Sequence, residues 1–302
     1  MASRSDSTSS YETSIAGWSF ALADTLTEYG LDARCIFLEA GLDLKQVTSA
    51  SDRLPISAVQ KVWRYADANT DSLFGMRMSR HLKPASLHAL GFALWCSGTM
   101  KEFLERYIRY RCVLSHMHFC ELIQRESGYE LVLVDERKLK SEITNDAASG
   151  FFLRMGRQLS IDNFSPRRVS ITRYLGDQGA EFEAFFGAEV FENSDTYALE
   201  FSQADLEAPL KFANPELAAQ QDTLVERYIA DHGLISEYML RVRNAIHELL
   251  LTECIALEQT ADHLHVSPRT LQRRLADEAS SYNQLLDEVR TALALEFVKA
   301  PR

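Results

Sequence analysis

The stretch HVSPRTLQRRLADEASSYNQLLDEVR, residues 265–290, decides how the end of this chain folds. Ser267 and Pro268 are an N-cap residue and a proline at the first helical position, so they predict a helix from Pro268 to about Glu278. A short predicted helix with one apolar face ends at Leu264, and a tight turn separates it from the helix that starts at Pro268. Two short helices joined by a tight turn are typical of a helix-turn-helix unit.

The second predicted helix has one apolar and one basic face. Leu271 and Leu275 share the apolar face, which would pack on the preceding helix, and Arg269, Gln272 and Arg273 share the other. Arginine can pair with two acceptors of guanine and glutamine with two groups of adenine, so this face carries side chains that read base edges in a major groove. Alternatively, the same face is only the solvated side of an amphipathic helix.

The charge of the chain limits how it could bind DNA. The formal net charge is −11, and residues 233–302 hold eight Lys/Arg against ten Asp/Glu. Residues 266–276, in contrast, hold three arginines and no acid. Because non-specific affinity for DNA comes from neutralising phosphates, we expect any contact to be small, focal and specific.

The composition is that of a globular cytoplasmic protein. Of 302 residues, 46% are hydrophobic, yet no run reaches the roughly 20 apolar residues of a membrane helix. The polar N-terminus does not resemble a signal peptide, and five cysteines without a C-x-x-C pair indicate neither disulfides nor a zinc ribbon. Motifs of nucleotide-binding loops, serine hydrolases and metalloproteases are absent from the sequence, so we predict neither an enzyme nor a bound cofactor.

Periodicity divides the chain into two domains after a polar tail at residues 1–14. Residues 15–232 mix helices and strands without regular alternation, which indicates an α+β domain. A hairpin is predicted over residues 115–136, and a helix capped by Asp146 is predicted to follow it. Residues 233–302 are predicted to be helical throughout.

The string SPRTLQRRL, residues 267–275, resembles the first helix-turn-helix of the AraC/XylS family of transcription regulators. The segment after it resembles the linker helix of that family. Residues 39–78, 85–115 and 182–218 resemble the arabinose-binding-type, ornithine-regulator-like sensing domain found at the N-terminus of one branch.

This resemblance implies a bacterial, cytoplasmic regulator that binds double-stranded promoter DNA and acts on RNA polymerase. Its N-terminal domain would sense an unknown small-molecule effector or form a homodimer. The base-reading positions of the family fall on Arg269, Gln272 and Arg273. Thr270 and Arg274 lie to the sides, where phosphates would be met, and Ser267 completes the predicted DNA-binding set.

Members of the family normally carry two helix-turn-helix units, and only the first is recognisable here. One unit offers about half of the usual contacts, so we expect weak DNA binding by a monomer. An alternative function follows from this difference. The chain would then be a truncated sensing or dimerisation module that no longer reads DNA and acts by ligand binding or heterodimerisation.

Two candidate small-molecule sites lie in the α+β domain. His116, His118 and Cys120 alternate along a predicted strand and would share one face, as zinc ligands or as core side chains. We favour the core reading and predict no metal site. An effector pocket with an apolar body and a few polar anchors is the other candidate. Its predicted lining residues, each of which could instead be a core aromatic or a surface arginine, are Trp95, Tyr107, Arg109, His116, His118 and Arg154.

Overall fold

The structure is a computed structural model that describes residues 13–115, 119–134, 142–234, 237–250, 255–277, 280–287 and 289–290. The chain forms two compact units, Met1–Leu234 and Ile235–Arg302. The first combines helices with a five-stranded sheet, whereas the described residues of the second are helical or in turns. The predicted α+β domain followed by a helical domain is therefore confirmed as a fold class.

Ten α-helices and seven strands are described in the first unit, together with four short 3-10 helices. The helices are α1 (Ala16–Glu28), α2 (Ala33–Glu39), α3 (Ile56–Asn69), α4 (Phe74–Met78), α5 (His88–Trp95), α6 (Met100–Tyr110), α7 (Ile143–Leu159), α8 (Gly179–Phe186), α9 (Gln203–Glu207) and α10 (Pro215–Asp231). The strands are β1 (Thr13–Ile15), β2 (Arg53–Pro55), β3 (Phe119–Arg125), β4 (Gly128–Val134), β5 (Arg168–Ser170), β6 (Glu189–Phe191) and β7 (Tyr197–Ser202).

The main sheet has the strand order β3-β4-β7-β5-β6. Its pairs are antiparallel except for β5 with β6, which are parallel. The hairpin of β3 and β4 pairs Arg125 with Gly128 across a two-residue turn, which confirms the predicted hairpin. A second, two-stranded sheet joins β1 to β2.

Helix α7 is the centre of the core of the first unit. It is buried almost all round, as expected of a helix that other elements cover on every side. Phe151 contacts the rings of Trp18 on α1 and Phe103 on α6, and Phe152 contacts Tyr107. Helix α4 also packs on α7.

Two local predictions need correction. Asp146 does not cap a helix, because α7 begins three residues earlier and places Asp146 in its first turn, fully buried. Its carboxylate instead pairs with Arg173, with 2.6 Å between Oδ2 and Nη2. Thr13 lies in β1 rather than in the predicted tail, since its side-chain and carbonyl oxygens accept hydrogen bonds from Arg53 at 3.0 and 2.8 Å.

The second unit contains α11 (Glu237–Leu250), α12 (Leu257–His263) and α13 (Pro268–Asp277), and residues 282–287 and 289–290 are also helical. These elements enclose a small core of their own. The buried members of that core are Val242, Ile246, Ala261, Leu271, Leu275, Tyr282, Leu285, Leu286 and Val289.

Candidate nucleic-acid interface

Helices α12 and α13 are joined by a turn of four residues. The amide of Val266 donates to the carbonyl of Ala261 at 2.9 Å, and that of His265 donates to Asp262 at 3.0 Å. His265 has a φ of 54°, a left-handed backbone that ends α12 sharply. Helices α12 and α13 pack on each other across this turn, as in a helix-turn-helix unit.

Ser267 is the N-cap of α13. Its hydroxyl accepts from the Thr270 amide at 3.1 Å and lies 2.8 Å from the Thr270 hydroxyl. The cap and Pro268 together set the first residue of the helix, which confirms the predicted start. The two hydroxyls bond to each other at the exposed end of α13.

The apolar face of α13 is anchored in the core of the second unit. Leu271 and Leu275 are completely buried, one helical turn apart. Nearby, the hydroxyls of Thr260 and Tyr282 are 2.9 Å apart in the same interior. This anchoring fixes which side of α13 faces outward.

Arg269, Gln272 and Arg273 are all exposed on the outward side. Among the residues that the structure describes, neither the Arg269 nor the Arg273 side chain has a hydrogen-bond or ion-pair partner. The first turn of α13 contains no acidic residue, so the positive end of the helix dipole adds to the charge of Arg269. The guanidinium donors on this face are therefore available to an anionic or acceptor-rich partner.

Gln272 and Arg274 have surroundings that their spacing did not reveal. Gln272 and Ala276 line a shallow groove of about 430 Å³ that runs towards Ser281 and Tyr282. The Arg274 guanidinium lies 5.1 Å from the ring centre of Tyr238 on α11, in a cation–π contact. Tyr238 was not predicted as part of the site, because nothing in its local sequence links it to α13.

The predicted effector-site residues are dispersed in the first unit. Tyr107 lies in the core, where complete burial raises its pKa well above the ordinary value. Arg109 follows two residues later on the same helix, so its side chain points in nearly the opposite direction and is exposed. The ring of Trp95 stacks on Phe212 at 5.5 Å. Arg154 lines two clefts, and neither includes the other three residues.

His116 and His118, predicted for the effector pocket and considered as metal ligands, lie outside the described residues. Cys120, the third member of that group, is buried on β3. Within the described ranges, no group of three or more histidine, cysteine or acidic side chains is placed to hold a metal ion. No helix among those residues is long and apolar enough to cross a membrane.

Comparison with known proteins identifies the family. Residues 30–210 match the arabinose-binding N-terminal domain of AraC transcription regulators, which is more than half of the chain. The chain belongs to this family of AraC transcription regulators. The helix-turn-helix in the second unit agrees with that assignment, and the protein is a regulator rather than an enzyme.

Relatives of this AraC-family regulator are bacterial transcription regulators. The ornithine utilization regulator of Pseudomonas aeruginosa is 24% identical over 284 residues, which cover 92% of this chain and 83% of the relative. The regulator VqsM of the same organism is 24% identical over 233 residues, 73% of this chain and 70% of the relative.

A solved structure has a similar fold. The transcriptional regulator CdpR from P. aeruginosa superposes with a TM-score of 0.52 at 20% sequence identity. The superposition covers 95% of this chain and 87% of CdpR. Because the sequence identity is only 20%, the similarity to CdpR is evidence for the fold alone.

Proposed function

We propose that this regulator reads promoter DNA by inserting α13 into the major groove, under control of a small-molecule effector or of dimerisation through the first unit. The observation that carries the proposal is the exposed pair Arg269 and Arg273, one helical turn apart and without described partners, on a helix whose opposite face is buried.

Each predicted DNA-binding side chain in and next to α13 has a proposed role. Arg269, Gln272 and Arg273 contact base edges, because their donors point away from the core. Ser267, Thr270 and Arg274 meet phosphates, which their positions at the start and side of the helix favour. The stack of Arg274 on Tyr238 would hold its guanidinium in place without removing its charge.

The remaining partners follow from membership of the family. We propose that the regulator acts in the cytoplasm, where bacterial promoters and RNA polymerase are located. An effector would change transcription only if it binds two states of the protein with different affinities.

The test is the affinity of the protein for the DNA upstream of its own gene, measured by fluorescence anisotropy across a salt series. Each change of Arg269→Ala or Arg273→Ala should weaken selective binding about 10- to 100-fold, since one bidentate base contact contributes about 1–3 kcal/mol. Arg227→Ala is the matched control, because Arg227 is exposed on α10, in the first unit. It should change the affinity by less than about twofold.

Two results would contradict the proposed reading mode. If Arg269→Ala and Arg273→Ala bind the selected site as tightly as the unmodified chain, α13 does not read it. If the unmodified chain shows no selective binding at any salt concentration, the chain does not read this DNA by itself. The alternative of a module that acts through ligand binding or heterodimerisation would then be preferred.

A further inference from the structure

Two adjoining clefts in the first unit share Arg154 and Phe185. Their volumes are about 330 and 380 Å³, within the range of sites that hold small organic molecules. The first is lined by Leu73, Met76, Arg77, Arg80, Arg154, Glu181 and Phe185. The second is lined by Arg154, Arg157, Gln158, Ala184 and Phe185. Four arginines therefore surround these clefts, with one carboxylate among their lining residues.

Glycines bring the arginines together. A Cβ at Gly75 of α4 would collide with the backbone of α7, so glycine is needed for the close approach of these helices. At Gly150 of α7, a Cβ would lie 3.0 Å from the Cβ of Ser79, which follows α4, and 3.4 Å from the Phe185 ring of α8. Arg77 therefore comes from the element that packs on α7, and Arg154 lies one turn beyond Gly150 on α7 itself.

The four guanidinium groups differ in what they already bind. Arg157 is held by two backbone carbonyls, those of Phe164 at 3.2 Å and Phe186 at 3.0 Å. Arg77 and Arg80 lie 3.8 and 3.6 Å from carboxylate oxygens of Asp71 and Glu28, too far for good hydrogen bonds. Arg80 Nε also donates to the Arg77 carbonyl at 3.3 Å, and the Arg77 guanidinium lies 5.1 Å from the centre of the Tyr29 ring. The terminal nitrogens of both arginines still have unused donors.

Arg154 is the group that the fold leaves uncompensated. No hydrogen-bond or ion-pair partner for it is found within the described part of the chain. Burial and then the charge of Arg80 lower the pKa of Arg154 below the ordinary value for arginine. Arginine nevertheless remains protonated at neutral pH, so a half-buried positive charge faces other positive charges. A bound anion would relieve that repulsion.

We propose that these clefts bind a small organic carboxylate, with its anionic group on Arg154 and its apolar part against Phe185. The planar guanidinium matches a carboxylate through two parallel hydrogen bonds, with Arg77 and Arg80 at the rim of the first cleft adding positive charge. Leu73, Met76 and the Phe185 ring supply the apolar wall. We further assign this carboxylate as the effector of the regulator, an assignment that rests on the proposed function.

The test uses sodium benzoate and sodium octanoate as probes on the full chain, by calorimetric titration at constant ionic strength. At least one probe should bind saturably. Arg154→Gln should weaken that binding at least tenfold, and Arg154→Lys should weaken it less. The matched control is Arg64→Gln, because Arg64 is an exposed arginine on α3 that lines neither cleft. It should leave the affinity within twofold.

Chemical controls separate charge from the apolar wall. Benzamide, a neutral analogue of benzoate, should bind at least tenfold more weakly than benzoate. Sulfate should also bind more weakly, because it has no apolar part. Without any anion, Arg154→Gln should melt at the same temperature as the unmodified chain or higher, since the change removes a repelled charge. A purely structural role for Arg154 predicts a lower melting temperature instead.

Several outcomes would overturn the proposal. It fails if neither carboxylate binds in a manner that depends on Arg154, or if sulfate binds as tightly as both carboxylates. The link to regulation is tested separately, by repeating the DNA titration with and without the bound probe. If the carboxylate binds but does not change the affinity for DNA, only the effector role is rejected. If the carboxylate binds but Arg273→Ala leaves the DNA affinity unchanged, only the proposed reading of DNA by α13 is rejected.

Discussion

Asp146 is a buried carboxyl group whose protonation affects the stability of the first unit. Its oxygens accept from Arg173 at 2.6 Å and from the Tyr197 hydroxyl at 3.0 Å. The Tyr197 hydroxyl also lies 2.9 Å from that of Ser149. Complete burial nevertheless raises the pKa of Asp146 to about 6, because loss of water around the charge outweighs these contacts.

We expect Asp146→Asn to alter the pH dependence of unfolding. A carboxyl group with a raised pKa in the folded state favours folding at low pH, and that contribution is lost as the pH rises through about 6. Between pH 5 and 7.5, the unmodified chain should lose about 1.4 kcal/mol of stability that the asparagine variant does not lose. Urea unfolding of both proteins at each pH measures the difference, and parallel pH profiles would contradict it.

At the scale of the element, α13 depends on a side-chain cap at its start. Ser267→Ala removes the hydroxyl that accepts from the Thr270 amide and should destabilise the second unit by about 1 kcal/mol. Ser280→Ala is the matched control, because the bond described for Ser280 runs from its backbone amide to Leu275. Thermal unfolding followed by circular dichroism measures both variants. Equal effects of the two changes would show that the cap does not stabilise α13.

The approach of α4 to α7 depends on Gly75. In Gly75→Ala, the new methyl group would collide with the Ile143 carbonyl, so we expect a loss of roughly 1–3 kcal/mol from overpacking. Gly179→Ala at the start of α8 meets only the end of the Glu192 side chain, at 3.1 Å, and should change stability by less than about 0.5 kcal/mol. Chemical unfolding of both variants gives the comparison. A neutral Gly75→Ala would mean that the two helices separate easily.

At the scale of the whole molecule, the two units have separate hydrophobic cores. The core around α7 and the core around α13 share no residue. Two cores without common side chains need not unfold in one step, so two thermal transitions are expected. The smaller core also has less apolar surface to bury, which favours a lower melting temperature for the second unit.

Leu275→Ala should affect one of these transitions. The leucine is completely buried in the core of the second unit, and its truncation costs about 2–5 kcal/mol. Calorimetry should show a lower melting temperature, or loss, of the second-unit transition alone, together with loss of selective DNA binding. The reciprocal control is Leu90→Ala in the core of the first unit. A single transition that shifts in both variants would contradict independent unfolding.

The sequence by itself determined the parts of the structure that depend on near neighbours. A cap such as Ser267 is satisfied three residues along the chain, and the hairpin of β3 and β4 forms between segments that are neighbours in sequence. The spacing of Leu271 and Leu275 likewise fixed the outward face of α13. These features form at short range, so their residue types and spacing were enough to predict them.

Only the tertiary structure decided which distant side chains meet. Asp146 looked like a helix cap, yet it pairs with Arg173, 27 residues away. Arg77 and Arg154 come from α4 and α7, which approach closely at Gly75, and the stack of Arg274 on Tyr238 depends on how α11 packs. Such contacts result from the packing of the whole core. Because many side chains share that free energy, no short stretch of sequence specifies it.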